Sequence, residues 1–243
     1  RLMHFVWLGK PLKDKYAANI NAFVSKNPEW QAHLWIETPL RETTAAVLAS
    51  PSQGRPCIVK SYAEVPEMRL LGLIQTAPSI GAAADLLRLE VVYRYGGIYM
   101  DVDSHPVHGF EEYGSLFRWP FVTYAGSGGG LCNCLFSDSP GSAFLNFTIA
   151  AAYEIGTTFK IRGPLTATGP PLVNSAFVMY NNPEYVLIES DFVLKHRKKD
   201  KEIMYQSFDF SWAGVPGGGG RHQAQKKKQT NQSMTATNQT TRP

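Results

Sequence analysis

The sequence has little cysteine and no long apolar run. Its three cysteines, Cys57, Cys132 and Cys134, are an odd number among 243 residues. Since one residue separates Cys132 from Cys134, not the two common in zinc knuckles, we expect packed free thiols and no metal-thiolate site. No stretch approaches the roughly 20 apolar residues of a membrane span, and no signal peptide stands at the start.

Charged residues are also modest in number, at 18% of the chain with a formal net charge of +4. Two runs, 195–201 and 226–228, supply much of the positive charge, so the remaining body is close to neutral. We therefore predict no nucleic-acid partner. The 44% of hydrophobic residues is ordinary for a folded protein, and a real core is expected.

The length favours one sizeable domain, which we place at residues 1–213. From residue 214 onward the sequence is rich in Gly, Lys, Gln, Asn and Thr and has almost no apolar residues. Such a composition cannot bury enough surface to offset the entropy of the chain. Residues 214–243 are therefore predicted to be a disordered tail.

Strand and helix patterns alternate along the first part of the chain. An apolar run at 3–9 predicts a strand, helical spacing of Leu12, Tyr16, Ile20 and Phe23 predicts a helix, and 32–36 predicts a second strand. Residues 38–56 are interpreted as a variable excursion. This order indicates an α/β fold with a central, largely parallel sheet flanked by helices.

A longer helix leads into the most informative segment. Apolar positions between Ile80 and Tyr95 lie on one helical face, and Gly96-Gly97 ends the helix where positive φ is required. Residues 98–103 then alternate with period two. Further strands are predicted at 121–125, 132–136 and 185–188, with a glycine-rich turn at 126–130 and a helix at 142–153.

Acidic residues stand at the end of the strand predicted over 98–103. On a pleated strand Tyr99, Asp101 and Asp103 project to one side, at the sheet edge where ligands bind in open α/β folds. Two neighbouring carboxylates repel each other unless a cation lies between them, and Mn²⁺ or Mg²⁺ prefers oxygen ligands. Such an ion can bridge to a diphosphate, so the pattern predicts a cation site. The alternative is a polar strand end that faces water.

These residues belong to a longer segment that resembles a known family. Residues 84–88, Ala-Asp-Leu-Leu-Arg, followed by Tyr95 to Asp103, closely resemble the Asp-X-Asp sugar-binding region of a glycosyltransferase family. Its members include fungal initiating mannosyltransferases, sphingolipid mannosyltransferases and the glucosyltransferase domains of large clostridial toxins. Residues 4–9 and Thr168-Gly169-Pro170 resemble flanking elements, so the resemblance spans about residues 3–212.

The resemblance implies a GT-A-type, Rossmann-like nucleotide-sugar-binding domain and a role for each matching residue. Asp103 binds the cation directly, and Asp101 contacts the ribose and reaches the ion through water. Trp7 stacks on the nucleotide base, or else is a core tryptophan. Tyr99 lines the pocket or packs in the core.

Three further positions follow from the same resemblance. Asp85 reaches sugar or ribose hydroxyls and Arg88 reaches sugar or phosphate oxygens, whereas the alternative is a surface ion pair between them. Ser211 and Trp212 resemble the family's C-terminal pair that closes over the donor. Phe208-Asp209-Phe210 stands where some members have a histidine, so the last cation ligand is left open.

The implied activity is metal-dependent, retaining transfer of a hexose, mannose or glucose, from a nucleotide diphosphate sugar. GDP-mannose and UDP-sugars are both possible donors, and the acceptor is a glycan, a sphingolipid or a protein. No residue is an obvious nucleophile, so a front-face displacement is expected. A Golgi lumen location behind a missing N-terminal anchor is the first hypothesis, and a bacterial cytosolic or secreted enzyme is the alternative.

Two other functions fit parts of the pattern. A haloacid dehalogenase-type phosphohydrolase would use Asp101 as nucleophile and Asp103 as general acid, but the expected downstream lysine and acidic pair are not evident. A non-catalytic nucleotide-sugar-binding protein of the same fold would bind donor without turnover.

Overall fold

The structure is a computed structural model that describes residues 1–48, 55–114, 116–118, 121–125, 130–159, 167–181, 184–188 and 204–206. The strands in these ranges are β1 (Leu2–Val6), β2 (Gln31–Ile36), β3 (Ile58–Ser61), β4 (Gly97–Met100), β5 (Ser104–Pro106), β6 (Phe121–Ala125), β7 (Leu131–Asp138), β8 (Val186–Ile188) and β9 (Met204–Gln206). The α-helices are α1 (Asp14–Lys26), α2 (Arg41–Val47), α3 (Leu71–Gln75), α4 (Ile80–Tyr95), α5 (Ala143–Thr158) and α6 (Gly169–Tyr180).

Seven of the described strands form one mixed sheet in the order β3-β2-β1-β4-β7-β6-β8. The pairs β3-β2, β2-β1, β1-β4 and β6-β8 are parallel, and β7 is antiparallel to both of its neighbours. The prediction of a largely parallel α/β sheet is confirmed. A second sheet pairs β5 with β9, and the sequence patterns did not predict it.

Both faces of the sheet are covered by helices. On one face, α1 inserts Tyr16, Ile20 and Phe23 between strand residues such as Phe5 and Leu34. On the other face α4, α5 and α6 pack against residues that point the opposite way from the same strands. The central strands β1, β2 and β4 are buried on both faces and are rich in apolar residues, as expected for a sheet covered on both sides.

The helix α4 lies against the centre of the sheet, and two glycines connect it to β4. Gly96 and Gly97 have φ of 64° and 96°, values that residues with a Cβ rarely adopt. A Cβ on Gly97 would also lie 2.4 Å from the Leu2 carbonyl oxygen. The predicted helix end at Gly96-Gly97 is therefore confirmed.

Several predicted boundaries are corrected by the structure. The first strand ends at Val6, and the strand predicted to reach Asp103 ends at Met100. The excursion at 38–56 contains α2. The predicted tail 214–243, the glycine-rich turn at 126–129 and the pair Ser211-Trp212 lie outside the described residues. In the described part of the chain no helix is long and apolar enough to cross a membrane.

Candidate active site

The acidic pair lies on a turn at the carboxyl end of β4. The strand stops at Met100, Asp101 donates its backbone N–H to Cys134 O at 2.9 Å, and the Ser104 N–H closes the turn onto Asp101 O at 3.1 Å. Asp101 and Asp103 are therefore held by a turn, and the predicted extended strand through both of them is wrong. Both residues remain partly exposed, so their side chains are accessible from solvent.

This turn lies at the point where the strand order reverses. The chain runs from β1 outward to β2 and β3 on one side, and β4 pairs with β1 on the other side. In open α/β sheets a crevice forms at the carboxyl ends of the two strands that flank such a reversal. Trp7 follows β1 and Asp101 follows β4, so both lie at the carboxyl ends of the two strands that flank the reversal.

One arginine joins two of the predicted acidic residues. Arg88 Nη2 lies 3.1 Å from Asp85 Oδ1, and Arg88 Nη1 lies 3.1 Å from Asp101 Oδ1. The side chains of Asp85 and Arg88 are each only 7% exposed, whereas that of Asp101 is 25% exposed. The alternative of a surface ion pair between Asp85 and Arg88 is therefore wrong, because both side chains are buried.

Both side-chain oxygens of Asp85 accept hydrogen bonds. Oδ1 accepts a hydrogen bond from the Asn133 amide at 2.8 Å, and Oδ2 accepts one from the Thr168 hydroxyl at 3.0 Å. Burial raises the pKa of Asp85, while Arg88, Asn133 and Thr168 act against that rise. The network fixes the carboxylate in one orientation.

Arg88 is fixed as firmly as Asp85. Its Nη1 donates to Asn133 O at 2.8 Å and its Nε donates to Ala84 O at 3.1 Å. The guanidinium carbon lies 4.5 Å from the centre of the Tyr99 ring, within cation-π range. Burial acts to lower the pKa of Arg88, but the acidic groups around it raise that pKa overall. The guanidinium is a permanent, oriented positive charge.

Tyr99 and Gln206 connect the network to the acidic turn. The Tyr99 hydroxyl donates to Asp101 Oδ1 at 2.7 Å, and the Gln206 amide donates to Asp101 Oδ2 at 3.0 Å and to Asp103 Oδ1 at 3.1 Å. Burial raises the pKa of Asp101, against the effect of Arg88 and these hydrogen bonds. Tyr99 is itself 1% exposed, so it both packs in the core and orients a site carboxylate.

A bulge in β7 supplies the Asn133 contacts. Thr123 pairs with Phe136 and Ala125 pairs with Leu131, so residues 132–135 leave the regular ladder opposite Tyr124. The Thr123 hydroxyl lies 2.7 Å from Cys132 O and 3.0 Å from Leu135 O, at the base of the bulge. This bulge turns Asn133 toward α4.

A disulfide joins Cys132 to Cys134 across the bulge. The expectation of packed free thiols is therefore wrong for this pair, while Cys57 is free. Their Cα atoms lie 5.5 Å apart, close to the commonest distance in disulfides, whereas residues two apart on a regular strand lie about 6.6 Å apart. The Tyr124 hydroxyl lies 2.9 Å from Cys134 Sγ.

Trp7 is nearly covered in this structure. Its side chain packs against Tyr16 with ring centres 4.8 Å apart, its indole N–H donates to Lys10 O at 2.7 Å, and the residue is 4% exposed. Trp7 directly follows β1, and its base-stacking role stays a prediction. The burial agrees with the alternative of a core tryptophan.

The donor set suits a hard divalent cation. Asp85, Asp101 and Asp103 carry three negative charges against the single positive charge of Arg88, so the described part of the site has a formal excess of two negative charges. Carboxylate and amide oxygens are the ligands that Mg²⁺ and Mn²⁺ take. Within the ranges that the structure describes, no cluster of three or more His, Cys, Asp or Glu side chains could hold a metal. Asp101 and Asp103 are the candidate ligands, because both are partly exposed and lie on the same turn.

Sequence reasoning missed three residues of this network. Asn133 could have been noticed as a polar residue inside an apolar strand, and Thr168 stood in a segment that had been singled out for its resemblance. Gln206 carries no sequence signal, because its role depends on the pairing of β9 with β5.

Comparisons with known proteins agree with this geometry. Residues 13–116 match the family described as "Glycosyltransferase sugar-binding region containing DXD motif". That range includes Asp85, Arg88, Asp101 and Asp103. The match confirms the resemblance to DXD-containing glycosyltransferases that the sequence showed.

One curated protein is similar to part of this chain. The chain is 27% identical over 155 residues to "Subversion of eukaryotic traffic protein A" of Legionella pneumophila subsp. pneumophila, a match covering 59% of this chain and 23% of that protein. The chain thus spans about a quarter of the length of this curated relative.

Among solved structures, "PaToxG Glycosyltransferase" superposes with a TM-score of 0.57 at 20% identity, covering 74% of this chain and 68% of that one. The UDP-bound glycosyltransferase domain from the YGT toxin gives 0.51 at 11% identity over 74% and 77%. Mouse Xyloside xylosyltransferase 1 gives 0.53 at 11% identity over 82% and 88%. These likenesses establish the GT-A-type fold.

Proposed function

We propose that this protein transfers a hexose, glucose or mannose, from a nucleotide diphosphate sugar to a hydroxyl group of a glycan, lipid or protein, with retention of configuration. The observation that carries the proposal is the linked set Asp85, Arg88, Asp101 and Asp103 at the carboxyl end of β4. It lies in the matched sugar-binding region, where the sheet provides a ligand crevice.

The donor's charged and hydroxyl groups match the residues of the crevice. Arg88 is oriented by Asp85 and Asn133 and can donate to a sugar or phosphate oxygen. Asp85 and Asp101 can accept hydrogen bonds from sugar and ribose hydroxyls. Trp7, which directly follows β1, is proposed to stack on the nucleotide base. The UDP bound by the YGT toxin domain supports a uridine donor over a guanosine one.

Asp103, with Asp101, would hold a Mn²⁺ or Mg²⁺ ion against the donor's diphosphate. Such an ion neutralises the charge that develops on the leaving nucleotide diphosphate. Arg88 contributes fixed positive charge next to the same region, and its oriented guanidinium needs no rearrangement during the reaction. Ser211 and Trp212 are proposed to close over the donor and limit hydrolysis.

Retention of the anomeric configuration is proposed because the carboxylates in the described part of the site have roles other than that of a nucleophile. Asp85 is held by Arg88, Asn133 and Thr168, and so does not stand free to attack an anomeric carbon. A front-face displacement, in which the leaving phosphate accepts the acceptor's proton, needs no enzyme nucleophile. The bacterial source of the curated relative supports a bacterial secreted enzyme over a Golgi one.

The test is a panel of nucleotide sugars assayed for Mn²⁺-stimulated release of nucleotide diphosphate. Release is expected with a UDP-hexose or with GDP-mannose, and Asp103→Asn is expected to abolish it. Asp14→Asn, at an exposed position at the start of α1, is the matched control. Unchanged turnover in Asp103→Asn would contradict the proposal. Mn²⁺-dependent donor binding without hydrolysis or transfer would instead support the non-catalytic sugar-binding alternative.

A further inference from the structure

Gln206 lies directly beside the acidic turn, on a strand far away in sequence. Its strand β9 runs antiparallel to β5, and Gln206 is the cross-strand partner of Ser104. Ser104 immediately follows Asp103, and its N–H closes the turn onto Asp101. Directly opposed residues of an antiparallel pair are close neighbours. The pairing therefore fixes the backbone of Gln206 against the turn that carries both carboxylates.

The Gln206 amide nitrogen lies between the two carboxylates. Nε2 is 3.0 Å from Asp101 Oδ2 and 3.1 Å from Asp103 Oδ1, so its two hydrogens serve one carboxylate each. A neutral amide can bridge two carboxylates in this way, but it leaves their charge in place. The Gln206 side chain thus reaches the carboxylates of both Asp101 and Asp103.

The other atom of the same amide is not satisfied. Gln206 Oε1 is buried and finds no hydrogen-bond partner among the described residues. An amide oxygen left without a donor in this way is unfavourable. Its cross-strand partner Ser104 also has a buried hydroxyl with no partner in the same part of the chain.

Rotation of the terminal amide by half a turn exchanges its oxygen and nitrogen. The torsion is soft and roughly two-fold, so the rotation needs no backbone movement. With the oxygen toward the turn, three oxygen-bearing groups would face one point. That arrangement is repulsive without a cation and is favourable with one, because Mn²⁺ and Mg²⁺ take carboxylate and amide oxygens together.

We propose that Gln206 is the third protein residue of the cation site. Without a cation its N–H groups bridge Asp101 and Asp103, and with a cation its amide turns and supplies Oε1 as a ligand. This inference rests on the proposed metal-dependent function. It assigns to β9 a cation ligand that the sequence analysis left open near residues 208–212.

The inference is tested by Mn²⁺ binding to the whole protein, followed by the electron paramagnetic resonance signal of free Mn²⁺, with and without UDP. Gln206→Met keeps the length of the side chain and removes both the oxygen and the N–H groups, so Mn²⁺ affinity is expected to fall about tenfold or more. Gln206→Glu offers an oxygen in either orientation and is expected to bind Mn²⁺ at least as tightly as the unsubstituted protein. Gln75→Met, at an exposed position in α3, is the matched control.

Unchanged or tighter Mn²⁺ binding by Gln206→Met overturns the inference, since the amide would then only occupy the place of the ion. Weaker binding by Gln206→Glu overturns it as well. Asp103→Asn distinguishes failure of the cation site from failure of the Gln206 inference. If Asp103→Asn binds Mn²⁺ normally, or if the unsubstituted protein binds none, the proposed cation site fails together with this inference. If only the Gln206 variants are unaffected, the cation site stands and the inference alone fails.

A second measurement needs no variant at this position. Nuclear magnetic resonance follows the side-chain amide of Gln206 while diamagnetic Mg²⁺ is added to the unsubstituted protein. A shift of both side-chain N–H signals that saturates with Mg²⁺ binding supports the rotation. If Mg²⁺ binds and these signals stay in place, the amide does not take part and the inference is overturned.

Discussion

The guanidinium of Arg88 lies between two carboxylates, with Nη2 3.1 Å from Asp85 and Nη1 3.1 Å from Asp101. One charge thus positions both the buried acid under the crevice and the first acid of the turn. A planar group with several donors at fixed angles is required, because the same guanidinium also donates to two backbone carbonyls. Arg88 therefore orients Asp85 and Asp101 relative to each other.

We expect Arg88→Lys to lower nucleotide-sugar turnover by about 100-fold or more. A lysine ammonium keeps the charge but cannot reach Asp85, Asp101 and the Asn133 carbonyl together, and small misplacements of reacting groups have effects of this size. Steady-state release of nucleotide diphosphate measures the change. Turnover within a few-fold of the unsubstituted enzyme would contradict the alignment role.

The control for this substitution is Arg41→Lys. Arg41 forms an ion pair with Glu64 at 2.8 Å, with side chains 49% and 43% exposed. Such an exposed pair contributes about 1 kcal/mol at most. Activity and the free energy of unfolding should therefore change little.

Asn133→Asp should weaken both the fold and donor binding. The new carboxylate would stand where the Asn133 amide now donates to Asp85 at 2.8 Å, so a hydrogen bond becomes a repulsion. A loss of about 1–3 kcal/mol in the free energy of unfolding is expected, together with weaker donor binding. Urea unfolding and titration with the donor measure the two effects.

The matched variant is Asn146→Asp, at an exposed position in α5 where the side-chain oxygen accepts from Arg69 at 3.2 Å. A carboxylate can accept the same hydrogen bond, so neither quantity should fall. Equal effects of the two variants would show that Asn133 has no special place in the network.

Elements whose sequence carries its own period could be predicted. The helix α4 and the strand β4 follow from helical and alternating spacing on either side of Gly96-Gly97. The position of Asp101 at a strand end followed from the same pattern. The turn from Asp101 to Ser104 could not be predicted. The alternating pattern of residue types continues through this segment, although its backbone is not extended.

The remaining network could not be predicted because its contacts join distant parts of the chain. Asp85 meets Asn133 across 48 residues and Thr168 across 83, and Asp101 meets Gln206 across 105. None of these contacts produces a periodic pattern in the local sequence. The Cys132–Cys134 disulfide lies where the register of β7 against β6 shifts, and that shift is set by pairing between distant residues.

The protein denatured without reductant should show one reactive thiol, and three after reduction. Cys132 and Cys134 are joined, and Cys57 is the free cysteine of the described residues. In the native protein Cys57 should react slowly, since burial raises the pKa of its thiol to about 12. Titration with a thiol reagent and peptide mass spectrometry measure both states.

Reduction should also lower turnover, because the disulfide closes the bulge from which Asn133 O binds Arg88 and Cys134 O binds the Asp101 N–H. Cys57→Ser should respond to reductant as the unsubstituted protein does. Three thiols titrating together before reduction would contradict the bond.

Two buried histidines should make the fold sensitive to acid. The Trp35 indole donates to His4 Nδ1 at 3.2 Å, so His4 must be neutral, with Nε2–H donating to Gly96 O at 2.9 Å. Burial lowers the pKa of His4 to about 3, and burial with the nearby Lys60 lowers that of His33 to about 4.

In the unfolded chain both histidines titrate near a pKa of about 6.5, so below that pH the unfolded state binds protons that the folded state does not. The free energy of unfolding should therefore fall as pH drops from about 6.5 toward 4, with a slope of up to about 1.4 kcal/mol per pH unit for each histidine. Urea unfolding at a series of pH values measures this slope. His33→Leu removes one of the two histidines. The slope of its free energy of unfolding against pH should therefore be smaller by the contribution of about one proton per molecule. A stability that is constant over this range, or a slope that His33→Leu leaves unchanged, would show that these histidines are not held neutral by the fold.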